Sequence, residues 1–290
     1  MLIATALISG LGLGSMYGLL ALGFHITYSV SSTVNFAQGS SMMLGAVFAY
    51  TLAVRLGLPL PAAVVLALAL CAVYGALVEL LAVRPFALRG SNAWLIATVA
   101  LGIIADNSVL FTFGKEPRGF QMPWANGSLQ IAGVGMSPLQ LAIPVFGLAA
   151  AALLHLVSRR TRLGKALLAV VQNRDAARLM GINVTLAVSA AYAVSTVFAG
   201  AAGILIAPLY TVHSDMGTLF GLKAFAVAIL GGITSAWGVM LAGLLFGCVE
   251  ALITALAGST YTQIVTFVLV IVALAAMPDG LFGRAQVNKV

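Results

Sequence analysis

Long apolar segments separated by short polar interruptions make up almost the whole chain. Apolar runs near residues 2–28, 41–54, 62–83, 94–113, 138–157, 186–206 and 262–277, with another opening at Trp237, show no period-two alternation. They predict helices and argue against a transmembrane barrel. At roughly 20 residues per crossing, 290 residues hold about eight or nine spans once loops are subtracted. The expected fold is therefore all-α: a polytopic transmembrane helical bundle forming one domain over residues 1–290. A shorter run, residues 223–233, covers only about half a bilayer at a rise of 1.5 Å per residue, so it is read as a tilted or re-entrant half helix. The first run has no positive flank and no clear cleavage site, and is read as a retained helix.

Small residues recur at four-residue spacing along several spans. Gly10, Gly14 and Gly18 form one such stripe, and Gly243, Gly247 and Ala251 another. Stripes of this kind let helices approach closely in lipid. Acids follow the same faces: Glu79 after Cys71 and Gly75, Asp106 after Thr98 and Gly102, and Glu250 three residues past Gly247. Ionisable groups inside spans are costly and face the bundle interior. Glu79, close to Arg84 and Arg89, reads as a structural ion pair. Asp106, followed by Asn107, reads equally as a residue of the solute path or as a structural acid joining two helices. The polar passage 31–41 holds Asn35 and Gln38. It is either a solvated turn whose amides cap helix ends or a break lining the path, because irregular backbone at depth needs protein or water beside it. Residues 208–221, with His213 and Asp215, form a second polar break.

Composition agrees with the membrane reading: 62% hydrophobic residues, 7% charged residues and a mean hydropathy of +1.11. The net charge of +7 does not indicate nucleic acid, because the basic residues gather in a few short loops. Arg84 and Arg89, the loop 158–185, and the tail with Arg284 and Lys289 are assigned to the cytoplasmic side. Counting nine segments back puts the N-terminus outside and the C-terminus inside, with the loop around Lys115 external. Cys71 and Cys248 lie in apolar spans, which implies neither a disulfide nor a metal site.

The loop 158–185 carries six of the fourteen Lys and Arg residues: Arg159, Arg160, Arg162, Lys165, Arg174 and Arg178. Within it Asn173 suits a helix N-cap, Asp175 the positive end of the dipole, and Gly181 the C′ position. These signals predict a helix of about two turns outside the membrane.

Catalytic chemistry has little support. LGKA at residues 163–166 lacks both the upstream glycine and the Ser or Thr of a phosphate-binding loop. His25, His155 and His213 are scattered without metal-ligand spacing. No catalytic residue, cofactor or metal is expected in this chain, which is read as a non-enzyme.

Three passages, YGLLALGFHITYSVSSTVNFAQGSSMMLGA (residues 17–46), TRLGKALLAVVQNRDAARLMGINV (161–184) and GLKAFAVAILGGITSAWGVMLAGLLFGCVEAL (221–252), resemble the shorter, H-type permease subunit of branched-chain amino acid ABC importers. The likeness covers most of the chain. It implies a multi-pass subunit of the bacterial cytoplasmic membrane, working with a second homologous permease, two cytoplasmic ATPases that bind ATP and magnesium, and a periplasmic solute-binding protein. It also implies that the short helix docks on an ATPase: Arg174, Asp175 and Arg178 fix orientation, Ala176, Ala177, Leu179 and Met180 allow close packing, and Asn173 and Gly181 bound it. The family's usual NFAHG pattern has His where this chain has Gln38. Asn35, Gln38, Asp106, Asn107 and Glu250 are the path candidates. A second reading, from a different class, is an ion-coupled secondary transporter in which Asp106 or Glu250 binds a proton or sodium; a purely structural subunit is disfavoured by the polar breaks.

Overall fold

The computed structural model describes residues 2–87, 89–121, 129–131, 134–276 and 280–282. Arg284, Lys289 and Trp124 lie outside the described residues. The helices are α1 (Leu2–Ser31), α2 (Gln38–Tyr50), α3 (Leu60–Val78), α4 (Arg84–Ala87), α5 (Trp94–Phe113), α6 (Pro138–Arg160), α7 (Arg162–Gln172), α8 (Arg174–Leu179), α9 (Val184–Ile206), α10 (Met216–Leu230), α11 (Ala236–Ala257) and α12 (Ser259–Ala276). π-helical turns, Thr51–Arg55 and Glu79–Val83, extend α2 and α3. Among the described residues six helices are long and apolar enough to cross a membrane, and α10 and α12 contain shorter apolar stretches. Among the described residues the bundle is all-α apart from one small antiparallel hairpin, β1 (Leu129–Ile131) on β2 (Val134–Met136), with Gln130 opposite Gly135.

Contacts divide the chain into two compact units: Met1–His25 with Met122–Ala151 and Lys223–Val290, and Ile26–Gln121 with Ala152–Leu222. In the first unit the two predicted small-residue stripes meet. A Cβ on Gly10 would fall on Cys248 and Gly247, one on Gly14 on Gly243 and Leu244, and one on Gly243 on Gly18. Burial of apolar groups drives little association between helices already in lipid, so this backbone-to-backbone approach and the dispersion it gives are what hold α1 to α11. Edge-to-face pairs Tyr17–Phe246 at 5.4 Å and Phe24–Phe225 at 5.5 Å add to the same unit.

The second unit is built around α2. Every residue from Gln38 to Val47 is buried, and α3, α5 and α9 pack around it. Gly45 meets the backbone of Gly200, and Gly75 meets Tyr192 and Thr196, so α9 sits within backbone distance of both α2 and α3. Thr196 Oγ1 donates to Cys71 O at 2.8 Å, placing a hydrogen bond across the α3–α9 contact.

One boundary differs from the sequence expectation in a way that matters. The short element does not begin at residue 223 but at Met216, and its 15 residues reach about 22 Å at 1.5 Å each. Gly217 and Gly221 belong to the stretch 208–221 read as a polar break, yet they lie within the helix. A Cβ on Gly217 would strike Gly39 O, and one on Gly39 would strike Gly217 O. These glycines serve close packing against the start of α2. For the same reason α2 begins at Gln38, three residues before the sequence pattern suggests.

Candidate functional site

The predicted short helix in the basic loop is α8, and its ends are built as its residues suggest. Asn173 Oδ1 accepts from the backbone N–H of Asp175 and of Ala176, both at 3.0 Å. At the other end Gly181 takes φ +80°, a region that costs glycine nothing. Gly181 N–H donates to Arg178 O, and Ile182 N–H to Ala177 O, both at 3.0 Å. This pair of bonds is a Schellman closure.

Between its caps α8 is two-faced. Ala177 is 3% exposed and packs in a cluster with Ile26, Val30, Val170, Val184 and Ala191. Leu179 and Met180, at 89% and 82% exposure, project away from that cluster. Arg174 Nη2 donates to Val30 O at 3.0 Å, tying the helix to the end of α1. Arg178 and Asp175 pair loosely at 3.4 Å on the surface. Two large apolar side chains thus stand free on a helix whose ends and inner face are fixed.

Directly before α8 lies α7, which sequence reasoning missed. Thr161 caps it, its Oγ1 accepting from Gly164 N–H at 3.0 Å. Gly164, where a Cβ would strike Val157 O, lets it fold back on the end of α6. Its legible signal was the apolar series at Leu167 and Val170 behind a Thr cap. That signal was masked by the dense charge around it.

The polar passage resolves into a short break at residues 32–37. Ala37 N–H donates to Asn35 Oδ1 at 3.1 Å, and Asn35 Nδ2 donates to Gln38 Oε1 at 3.3 Å. Gln38 Nε2 donates to Ser195 O at 3.0 Å, while Ser195 Oγ donates back to Gln38 Oε1 at 3.1 Å. Both amides are fully buried (0% exposed). They fix the start of α2 against the middle of α9. Beside them Thr33 and Tyr192 share a hydrogen bond of 2.8 Å between hydroxyls.

The acids have distinct surroundings. Glu79 receives Arg84 in a two-pronged pair, Nε to Oε1 at 3.1 Å and Nη2 to Oε2 at 2.6 Å, and Ser189 Oγ donates to Oε2 at 2.8 Å. That is the structural pair its position suggested, made with Arg84. Glu250 is buried and pairs through Oε1 with Lys223 Nζ of α10, which is equally buried. Its Oε2 has no hydrogen-bond partner among the described residues. Asp106 is half-buried on α5 with Ser40 of α2 as its side-chain partner. Asn107 is exposed, and its Nδ2 donates back to Ile103 O at 2.8 Å. The structure therefore brings Asn35 and Gln38 together and puts Asp106 near them through Ser40. Glu250 belongs to the other unit.

Outside the spans, Arg118 and Val212 pair backbone to backbone, at 3.0 and 2.8 Å. His213 Nδ1 lies 2.5 Å from Asp215 Oδ1. The imidazole beside it holds the Asp215 carboxyl below the usual range, with a lesser pull from Lys115.

The family model described as branched-chain amino acid transport system / permease component matches residues 6–274. The chain is 30% identical over 295 residues to the high-affinity branched-chain amino acid transport system permease protein LivH of Salmonella typhimurium, an alignment covering 97% of this chain and 96% of that protein. It is 33% identical over 299 residues to the corresponding protein BraD of Pseudomonas aeruginosa, covering 98% and 97%. The D-allose transport system permease protein AlsC of Escherichia coli is 28% identical over 277 residues, covering 92% of this chain and 78% of its own length. No solved structure gives a significant match.

Proposed function

The chain belongs to the branched-chain amino acid transport permease family, and from that membership we propose that it is the permease subunit of an ATP-driven importer. It carries branched-chain or related amino acids inward by alternating access. A second homologous permease completes the translocation channel, two cytoplasmic ATPases bind and hydrolyse ATP with magnesium, and a periplasmic binding protein delivers the solute. The chain itself performs no covalent chemistry.

The observation that carries this reading is α8. A helix of six residues is too short to hold itself in water, yet caps at both ends, the buried Ala177 and the Arg174 bond to Val30 O fix it. Exposed Leu179 and Met180 then suit insertion into an apolar recess of an ATPase, with Arg178 and Asp175 at the rim. Force from the ATPase would pass through Ala177 into the residues around α1 and α9. For the solute path we retain Asp106 and Asn107, the two candidates with accessible surface, with Asn35 and Gln38 fixing the helix start behind them. An ion-coupled carrier, the alternative, is less well supported, since Lys223 already neutralises Glu250.

The test is the double substitution Leu179→Asp, Met180→Asp. Both side chains are exposed, so thermal stability of the purified chain stays unchanged. Copurification of the ATPase falls roughly tenfold, the effect of losing about 1.4 kcal/mol of docking energy, and ATP-dependent uptake is lost. Undiminished uptake with normal ATPase recovery overturns the assignment.

A further inference from the structure

A cleft of about 310 Å³ opens at the foot of the second unit, and three guanidinium groups line it: Arg84, Arg174 and Arg178. Val83, Val184 and Val188 also line it, together with the hydroxyl residues Ser31 and Thr185. The charges are not balanced inside it. Glu79, the carboxylate in the lining, has both oxygens engaged, with Arg84 on each and Ser189 on Oε2. Arg174 donates to a backbone carbonyl and has no carboxylate partner among the described residues. Arg178 has the exposed Asp175 at 3.4 Å, a distance at which a surface pair contributes little. Two guanidiniums therefore face the cleft with their charge largely uncompensated. The third is held rigid by its carboxylate.

From this arrangement we infer that the cleft binds a phosphate oxyanion, that of an anionic phospholipid headgroup. Two guanidinium forks without a close carboxylate, those of Arg174 and Arg178, beside the Arg84–Glu79 pair match the tetrahedral oxygens of a phosphodiester better than a single carboxylate. The three valines in the lining suit the glycerol and the first methylenes of an acyl chain, which a free phosphate does not have. Basic recesses between membrane helices near the bilayer surface hold such headgroups for the same electrostatic reason. Because Arg174 and Arg178 belong to α8, an occupant would brace that helix from its inner side while Leu179 and Met180 stay exposed. The inference rests on the cleft and its charges, and does not depend on what docks against α8.

The experiment uses the full purified chain in delipidating detergent, titrated with dioleoyl phosphatidylglycerol, with dioleoyl phosphatidylcholine, and with inorganic phosphate. Bound lipid is read by native mass spectrometry and thermal stability in parallel. Phosphatidylglycerol is expected to bind and raise the melting temperature, and phosphatidylcholine to do neither. Arg178→Gln weakens phosphatidylglycerol binding roughly tenfold, the loss of one charge-assisted contact. Arg160→Gln, in the same basic loop but outside the lining, leaves it unchanged. A phosphate-induced shift equal to that of phosphatidylglycerol, abolished by Arg178→Gln, keeps the oxyanion site and overturns its lipid source. Equal loss in Arg160→Gln, or no binding of either anion, overturns the site.

Discussion

In the loop between α9 and α10, the 2.5 Å contact between His213 and Asp215 is a local switch with a definite direction. The carboxyl is held below its ordinary value, about 3.9, chiefly by the hydrogen bond from His213. A depressed folded-state value means that the contact contributes in full above the unfolded value and is lost as pH falls through the folded one. Because the Asp215 side chain is largely exposed, solvent screens the contribution and it is small. The expected result is a slight loss of thermal stability in Asp215→Asn at neutral pH, shrinking in melts run at progressively more acid pH as the carboxyl takes up its proton. A difference that grows on acidification contradicts the assignment. Residue-level burial also separates the amides from the acids. Asn35 and Gln38 were chosen by the same sequence logic as Asp106, yet the structure puts the amides wholly inside protein and leaves Asp106 half accessible. Sequence marks a polar residue in an apolar context. It does not say whether the partner is a carbonyl one helix away or a passing solute.

Helix α10 illustrates what an element needs in order to exist in lipid. Its one charge, Lys223, lies in mid-helix and is met by Glu250 from α11, with the Tyr17 ring 6.0 Å from the ammonium. Desolvating either charge alone is expensive, so the two residues are worth little separately and must be changed together. Lys223→Met is expected to lower unfolding stability by about 3–5 kcal/mol, because Glu250 is left buried and unpaired. The double substitution Lys223→Met, Glu250→Gln recovers most of that loss. Detergent-solubilised thermal unfolding of the two variants measures it. A double variant as unstable as the single one shows that the pair is not what holds α10 to α11. Elsewhere the elements divide by their glycines. In α1 and α11 the four-residue stripes were readable as contact faces and do meet. In α10, Gly217 and Gly221 fell inside the stretch 208–221 that was read as a polar break on His213 and Asp215, and no local signal distinguishes a glycine that ends a helix from one that admits a neighbour.

At the scale of the whole chain the basic loops set the expectation for sidedness, since cytoplasmic loops retain Lys and Arg. A membrane-impermeant maleimide on intact cells is expected to label Glu116→Cys and to spare Arg160→Cys until the membrane is permeabilised. The reverse pattern would invert the topology and remove α8 from the ATPase side. The sequence by itself determined the class of solvent, the helical spans, the capped position of α8 and the family. The first three follow from composition, periodicity or short-range hydrogen bonding within about four residues of chain, and the family from the resemblance of residues 17–46, 161–184 and 221–252 to its members. Only the tertiary structure decided the rest: that α7 folds back on α6, that Glu250 is paired with Lys223, and that Arg84 and two arginines of α8 enclose one cleft. The partners involved are 27 residues apart for Glu250 and Lys223 and 90 or more for Arg84 and α8. Contacts over such separations are set by which backbones can approach in lipid, and helix periodicity carries no record of them.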